Sequence, residues 1–270
     1  MSFFDAYWTF VVFVYGASLG SFLNVCVYRI PEEMSVVRPR SRCPKCGFDI
    51  PWHDNVPILG WLMLGGKCRN CKERISVRYP AVELLTALLF VGIWLRYPYD
   101  ARAAAYGLLT FGLLLATFVD LDHMWIPDRV SIGGMIVGPI CCVLLPALQG
   151  QSGHLAGLLY SLLGLLTGFG LFWCIGFVGK LLLGKDAMGF GDVKLMGTLG
   201  AFLGPAAVFF VVFVASLLGT IVAMGSILAG RREWSARIPF GPYLAVAALI
   251  WVLGGNGWLD AYVDWATGGC

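Results

Sequence analysis

Eight apolar stretches constrain this chain of 270 residues more than any other feature. They run over about 6–28, 80–95, 103–119, 130–148, 155–179, 193–204, 206–229 and 239–254. A helix needs roughly 20 apolar residues to cross a bilayer, because each backbone polar group must be bonded within the segment once water is gone. The pattern predicts an all-α polytopic membrane protein of about eight transmembrane helices. The stretch at 193–204 is the weakest, being short, interrupted by Gly197, Gly200 and Gly204, and stopped by Pro205. Charged residues make up 13% of the chain. That is about half the share of a soluble domain, which excludes a soluble enzyme and a disordered chain alike.

Charge placement supplies the orientation. Asp5 is the only charge ahead of the first stretch, and Arg29 follows it, so it reads as an uncleaved helix with its N-terminus outside. Alternate crossings then put 29–79, 120–129, 180–192 and 231–238 in the cytoplasm. With Lys194 at the border, 17 of the 19 lysines and arginines lie inside, and only Arg96 and Arg102 lie outside. The positive-inside rule asks for this bias. The resulting division is a first helix at 1–28, a small cytoplasmic domain at 29–79, a membrane core at 80–254 and a periplasmic tail at 255–270. No internal repeat stands out, and a net charge of +3 gives no reason to expect nucleic acid.

A segment of about 50 residues is too small to hold itself by a hydrophobic core and needs a staple. Residues 29–79 contain Cys43-Pro-Lys-Cys46 and Cys68-Arg-Asn-Cys71, two CxxC pairs with 21 residues between them. Two such knuckles supply four thiolates to a tetrahedral zinc ion, with Lys45, Arg69 and Lys72 nearby to offset the negative charge. Four protein ligands leave no open position, so the zinc would be structural. A redox pair or idle thiols are the alternatives, and a cytoplasmic location argues against lasting disulfides. His53 is a weaker ligand candidate. The other five cysteines read as small apolar fillers.

Two aspartates flank apolar stretches on one predicted face. Asp120 closes the third stretch, and Asp192 opens the sixth. Close carboxylates cannot both ionise cheaply, so they share a proton. One can then activate a water while the other polarises a peptide carbonyl. Plainer roles also fit: Asp128 and Asp192 as helix N-caps, Asp122 as a solvated loop charge, or an ion relay. Spacing alone does not choose among them.

The ordered set of motifs is more specific. Gly20-Ser21-Phe22-Leu23-Asn24-Val25 precedes Arg29-Ile30-Pro31, and the paired CxxC knuckles follow. Then come Arg78-Tyr79-Pro80-Ala81-Val82-Glu83-Leu84-Leu85-Thr86, the run from Asp120 to Pro127-Asp128, and Gly189-Phe190-Gly191-Asp192. Over nearly its whole length the chain resembles the type IV prepilin leader peptidases, bifunctional peptidase and N-methyltransferase enzymes of the GxGD aspartyl class. The resemblance implies that Asp120 and Asp192 are catalytic, with Asp128 and His123 in support. It implies cleavage of the basic leader of prepilins or pseudopilins at the cytoplasmic face of the bacterial inner membrane. Members that keep the cysteine domain also methylate the new N-terminal residue with S-adenosylmethionine. No glycine-rich nucleotide fingerprint marks a methyl-donor site, so residues 20–31 and the cysteine domain are where it is expected. Glu83 and Arg29 are expected to pair with each other. The competing classes are a transporter using Asp120 and Asp192 as an ion relay, and a zinc-ribbon membrane adaptor.

Overall fold

The computed structural model describes residues 2–184, 188–230, 239–255 and 257, and among them there are helices and turns but no strand. The chain divides into two compact units, residues 1–99 and 100–270.

In the first unit, helix α1 (Phe3–Arg29) leads into an irregular segment with one short helix, α2 (Leu59–Met63), and then into α3 (Arg78–Arg96). Gly16 and Gly20 stand four apart, on one face of α1, and that face meets α3. A Cβ on Gly16 would lie 2.9 Å from the Ala87 Cα, and one on Gly20 would lie 2.6 Å from the Glu83 Cα. Small residues at this spacing let two helix backbones approach closely where no hydrophobic effect drives association. Helix α3 therefore groups with α1.

The second unit holds α4 (Arg102–His123), α5 (Asp128–Leu144), α6 (His154–Leu183), α7 (Phe190–Leu203), α8 (Pro205–Leu228) and α9 (Gly241–Ile250), the last continued by a π-turn over Trp251–Gly255. Helix α7, the weakest of the sequence stretches, is the innermost, with every residue from Leu195 to Leu203 buried. Its glycines are packing surface. Gly200 abuts the Gly164 carbonyl of α6, and Gly197 leaves room for Met135 of α5. Near its C-terminal end the Ala201 carbonyl accepts Ser161 Oγ at 2.6 Å and Gln149 Nε2 at 2.8 Å. Gly204, at φ 84, then breaks the helix, and Pro205 starts the next one.

Each of the eight predicted stretches falls largely on a helix. Five helices (α1, α3, α4, α6 and α8) are long and apolar enough to cross a membrane. The other three are shorter: α5 has 17 residues with Pro139 inside it, α7 has 14, and α9 has 10 before its π-turn. The predicted inner segment 231–238, and all but Gly255 and Gly257 of the predicted tail, lie outside the described residues.

Candidate active site and metal centre

In the first unit the two CxxC pairs form matching turns. Cys43 N–H bonds to the Phe48 carbonyl, Gly47 N–H to Cys43, and Ile50 N–H to Ser41. Twenty-five positions on, Cys68 N–H bonds to Glu73, Lys72 N–H to Cys68, and Ile75 N–H to Gly66. The residue after each second cysteine is left-handed, Gly47 at φ 69 and Lys72 at φ 60. The expectation of no internal repeat is thus corrected, because residues 41–50 and 66–75 are one backbone motif used twice. They share only their two cysteines and a closing isoleucine.

The four Sγ atoms all lie within 4.8 Å of one another, with Cys43–Cys71 at 3.9 Å and Cys46–Cys68 at 4.0 Å. A tetrahedron with 2.3 Å zinc–sulfur bonds needs sulfurs about 3.8 Å apart, so the donor set fits that ion. The described cysteines carry no disulfide. The Phe48 backbone N–H holds the Cys46 thiol down to about 6, helped by the Asn70 amide at 3.8 Å. The N–H groups of Cys71 and Asn70 lower Cys68 in the same way. Cys71 moves in the opposite direction, to about 12. The Glu73 N–H acts to lower it, but burial and the surrounding thiols outweigh that bond. Backbone donors thus favour thiolates, and the clustered thiols retain a proton that a divalent ion would displace.

Arg69, expected to offset thiolate charge, is bound elsewhere. It forms a two-toothed pair with Asp54 at 2.5 and 2.6 Å, and the Asp54 side chain is only 5% exposed. That guanidinium holds the Asp54 carboxyl below its usual range. His53 stands outside the thiol cluster.

In the second unit Asp120 lies in the last turn of α4, 5% exposed, and its Oδ2 accepts the Gly241 N–H at 3.0 Å. Asp122, two residues on, is turned to the surface. Helix α4 stops at Met124, a left-handed residue (φ 59) whose N–H bonds to the Asp120 carbonyl at 2.9 Å. Asp192 is the third residue of α7, and its Oδ2 lies against the cap residue Gly189, 3.1 Å from where a Cβ on that glycine would stand. Asp192 is thus inside the helix and is not its cap. Asp128 is not a cap either. Pro127 holds that position, and Asp128 pairs with Lys194 Nζ at 2.6 Å.

Buried Ile126 stands between the two aspartates' neighbours. A Cβ on Gly191 would meet Ile126 Cβ at 3.2 Å, and a Cβ on Gly241 would meet Ile126 Cδ1 at 3.4 Å and Asp120 Oδ2 at 2.8 Å. Ile126 thus packs against both the glycine beside Asp192 and the glycine bonded to Asp120. The structure therefore brings these two together and leaves Asp122 out. The roles of Ile126 and Gly241 were not read from sequence. The available signal was Gly241-Pro242 at the head of the last apolar stretch, which marks a helix start with free N–H groups.

The fold is that of a helical protein with spans long and apolar enough to cross a membrane, and the comparisons place it among aspartic-type peptidases. The family described as "Bacterial Peptidase A24 N-terminal domain" matches residues 14–97, and the "Type IV leader peptidase family" matches residues 107–224. A "Prepilin leader peptidase/N-methyltransferase" of Aeromonas salmonicida is 37% identical over 280 residues, covering 94% of this chain and 92% of that protein. One of the same name from Pseudomonas aeruginosa is 36% identical over 275 residues, covering 93% and 92%. A "Type 4 prepilin-like proteins leader peptide-processing enzyme" of Escherichia coli is 36% identical over 252 residues, covering 87% and 89%. No solved structure matches the chain at comparable strength. The chain belongs to the type IV leader peptidase family and is an enzyme of the prepilin leader peptidase/N-methyltransferase kind.

Proposed function

We propose that this protein removes the basic leader of type IV prepilins or pseudopilins at the cytoplasmic face of the bacterial inner membrane, with Asp120 and Asp192 as its catalytic pair, and then methylates the exposed N-terminal residue with S-adenosylmethionine. The observation that carries the reading is the convergence of Asp120 and Asp192 around Ile126 from two separate helices. In the ionised form one carboxylate takes a proton from water as it attacks the scissile carbonyl. The protonated partner donates a hydrogen bond to that carbonyl oxygen and later a proton to the leaving amine. Glycines at 189 and 191 keep side chains away from Asp192, so a substrate backbone can come near it.

Cys43, Cys46, Cys68 and Cys71 would hold a structural zinc ion, which when bound cross-links the two knuckles. The chain is read as crossing the membrane about eight times, with α5, α7 and α9 as the short members. An ion relay is the weaker reading, because Asp120 and Asp192 stand at helix ends rather than along a path of acidic groups.

The test is mass spectrometry of a co-expressed prepilin. The wild type is expected to yield leader loss and one N-terminal methyl group. Asp120→Asn and Asp192→Asn are each expected to abolish cleavage, and Asp122→Asn to retain it. Cleavage near the normal level in either of the first two removes the pair from the mechanism.

A further inference from the structure

The first unit encloses a cavity of about 630 Å³ between α1, the start of α3 and the knuckle segment. That volume lies in the range of small-molecule sites, about 300–1,000 Å³. Two of its lining residues are buried charges of opposite sign, Arg29 at 7% exposed and Glu83 at 8%. The expectation that they pair is corrected, as no ion pair joins them. Arg29 Nη1 donates to the Ser35 carbonyl at 2.9 Å, and Nη2 to the Arg40 carbonyl at 3.4 Å. Glu83 Oε2 accepts the Ile58 N–H at 2.7 Å, and Ser21 lines the same cavity.

Neutral partners orient both groups, and among the described residues neither formal charge has a counter-ion. Buried charges of this kind are costly unless something pairs with them. The surroundings also hold Glu83 at a cost. Ile58 is β-branched yet sits at φ 61, a strained conformation for such a residue, and its N–H is the one aimed at Glu83. The cavity is thus built to take a ligand that carries a cation and a carboxylate together, with aromatic surface from Tyr28 and Tyr79 for a flat apolar group.

We infer that this cavity is the methyl-donor site, holding S-adenosylmethionine with Glu83 against its ammonium and sulfonium charges and Arg29 against its carboxylate. This rests on the methyltransferase half of the function proposed above. The transfer balances between the two substrates alone. The methyl carbon–sulfur bond breaks, with its electron pair staying on sulfur to give S-adenosylhomocysteine. The lone pair of the new N-terminal amine forms the nitrogen–carbon bond, and one proton leaves to water.

The experiment is calorimetric titration of the purified full-length protein with S-adenosylmethionine and with S-adenosylhomocysteine, run beside a methylation assay on cleaved prepilin. Glu83→Gln keeps an acceptor for the Ile58 N–H, and Val25→Trp fills the cavity from α1. Melting curves report whether each variant is folded. The wild type is expected to bind one donor per chain. Glu83→Gln is expected to weaken binding at least about tenfold, the scale of one lost charge-assisted contact, and Val25→Trp to abolish it. Wild-type affinity in both folded variants, with methylation intact, overturns the site and leaves the methyltransferase reading standing. Displacement of the donor by a synthetic basic leader peptide overturns it as well, by giving the cavity to the leader. A wild type that neither binds the donor nor methylates overturns the underlying reading.

Discussion

The Gly241 backbone N–H donates to Asp120 Oδ2 at 3.0 Å, joining residues 121 positions apart. The first turn of α9 has N–H groups that no helical carbonyl can satisfy, and one of them fixes the carboxylate that ends α4. A carboxylate held this way keeps its second oxygen in a set direction, as a reacting group requires.

Replacing Gly241 by alanine tests that relationship. The new Cβ would stand 2.8 Å from Asp120 Oδ2, so the carboxylate has to move. We expect prepilin cleavage to fall about 10²-fold, the scale of a displacement near 1 Å, with little change in melting temperature. Quantifying processed prepilin over time measures it, and an unchanged rate would separate the bond from catalysis.

The repeated knuckle predicts a stabilising change. Lys72 occupies the left-handed position that Gly47 fills in the first copy. Lys72→Gly should relieve about 1 kcal/mol of backbone strain, and Gly47→Ala should add a similar amount. Resistance of bound zinc to a competing chelator should rise in the first variant and drop in the second.

Metal removal has a local signature. Atomic emission should find one zinc per chain in the wild type and none in Cys68→Ser. Hydrogen exchange should then show lost protection across residues 41–50 and 66–75, whose turns have little apolar core of their own. Full protection without metal would make the thiols bystanders.

Two glycines of the second unit should respond in opposite ways. A Cβ on Gly200 runs into the Gly164 carbonyl, whereas a Cβ on Gly170 meets nothing within 4 Å. Gly200→Ala should cost about 1–3 kcal/mol through overpacking. Gly170→Ala should be neutral or stabilising by up to about 1 kcal/mol, since alanine is the better helix former. Thermal melts in detergent distinguish them.

Much of this was legible in the sequence, for identifiable reasons. Apolar runs announce helices, because a membrane segment has no other way to satisfy its backbone. Cys43, Cys46, Cys68 and Cys71 announce a shared site, because ligands of one knuckle must be close in sequence. Asp120 and Asp192 could be named, yet their plainer roles could not be excluded from spacing. The contacts that side-chain patterns do not announce depend on backbone atoms, which every residue type carries. The Gly241–Asp120 bond and the second copy of the knuckle leave almost no trace in side-chain identity. The glycines of α7 misled differently: they weakened the hydropathy signal in the helix where close packing needed them. Gly16 and Gly20 did carry a legible spacing for the α1–α3 contact.

The enclosure of α7 dictates how anything can approach Asp192. Along its flank, Leu195 to Leu203 are covered on every side, while Phe190 is exposed and Gly191 and Asp192 are partly so. Under the proposed function, a substrate polypeptide would meet Asp192 at the tip of this helix, end-on, and offer a stretch of unwound chain there. A visitor that remained helical through that point would keep its amide groups locked in its own hydrogen bonds. Selection by such an entrance falls on where a substrate's helix begins, and only secondarily on the residues that flank the cut.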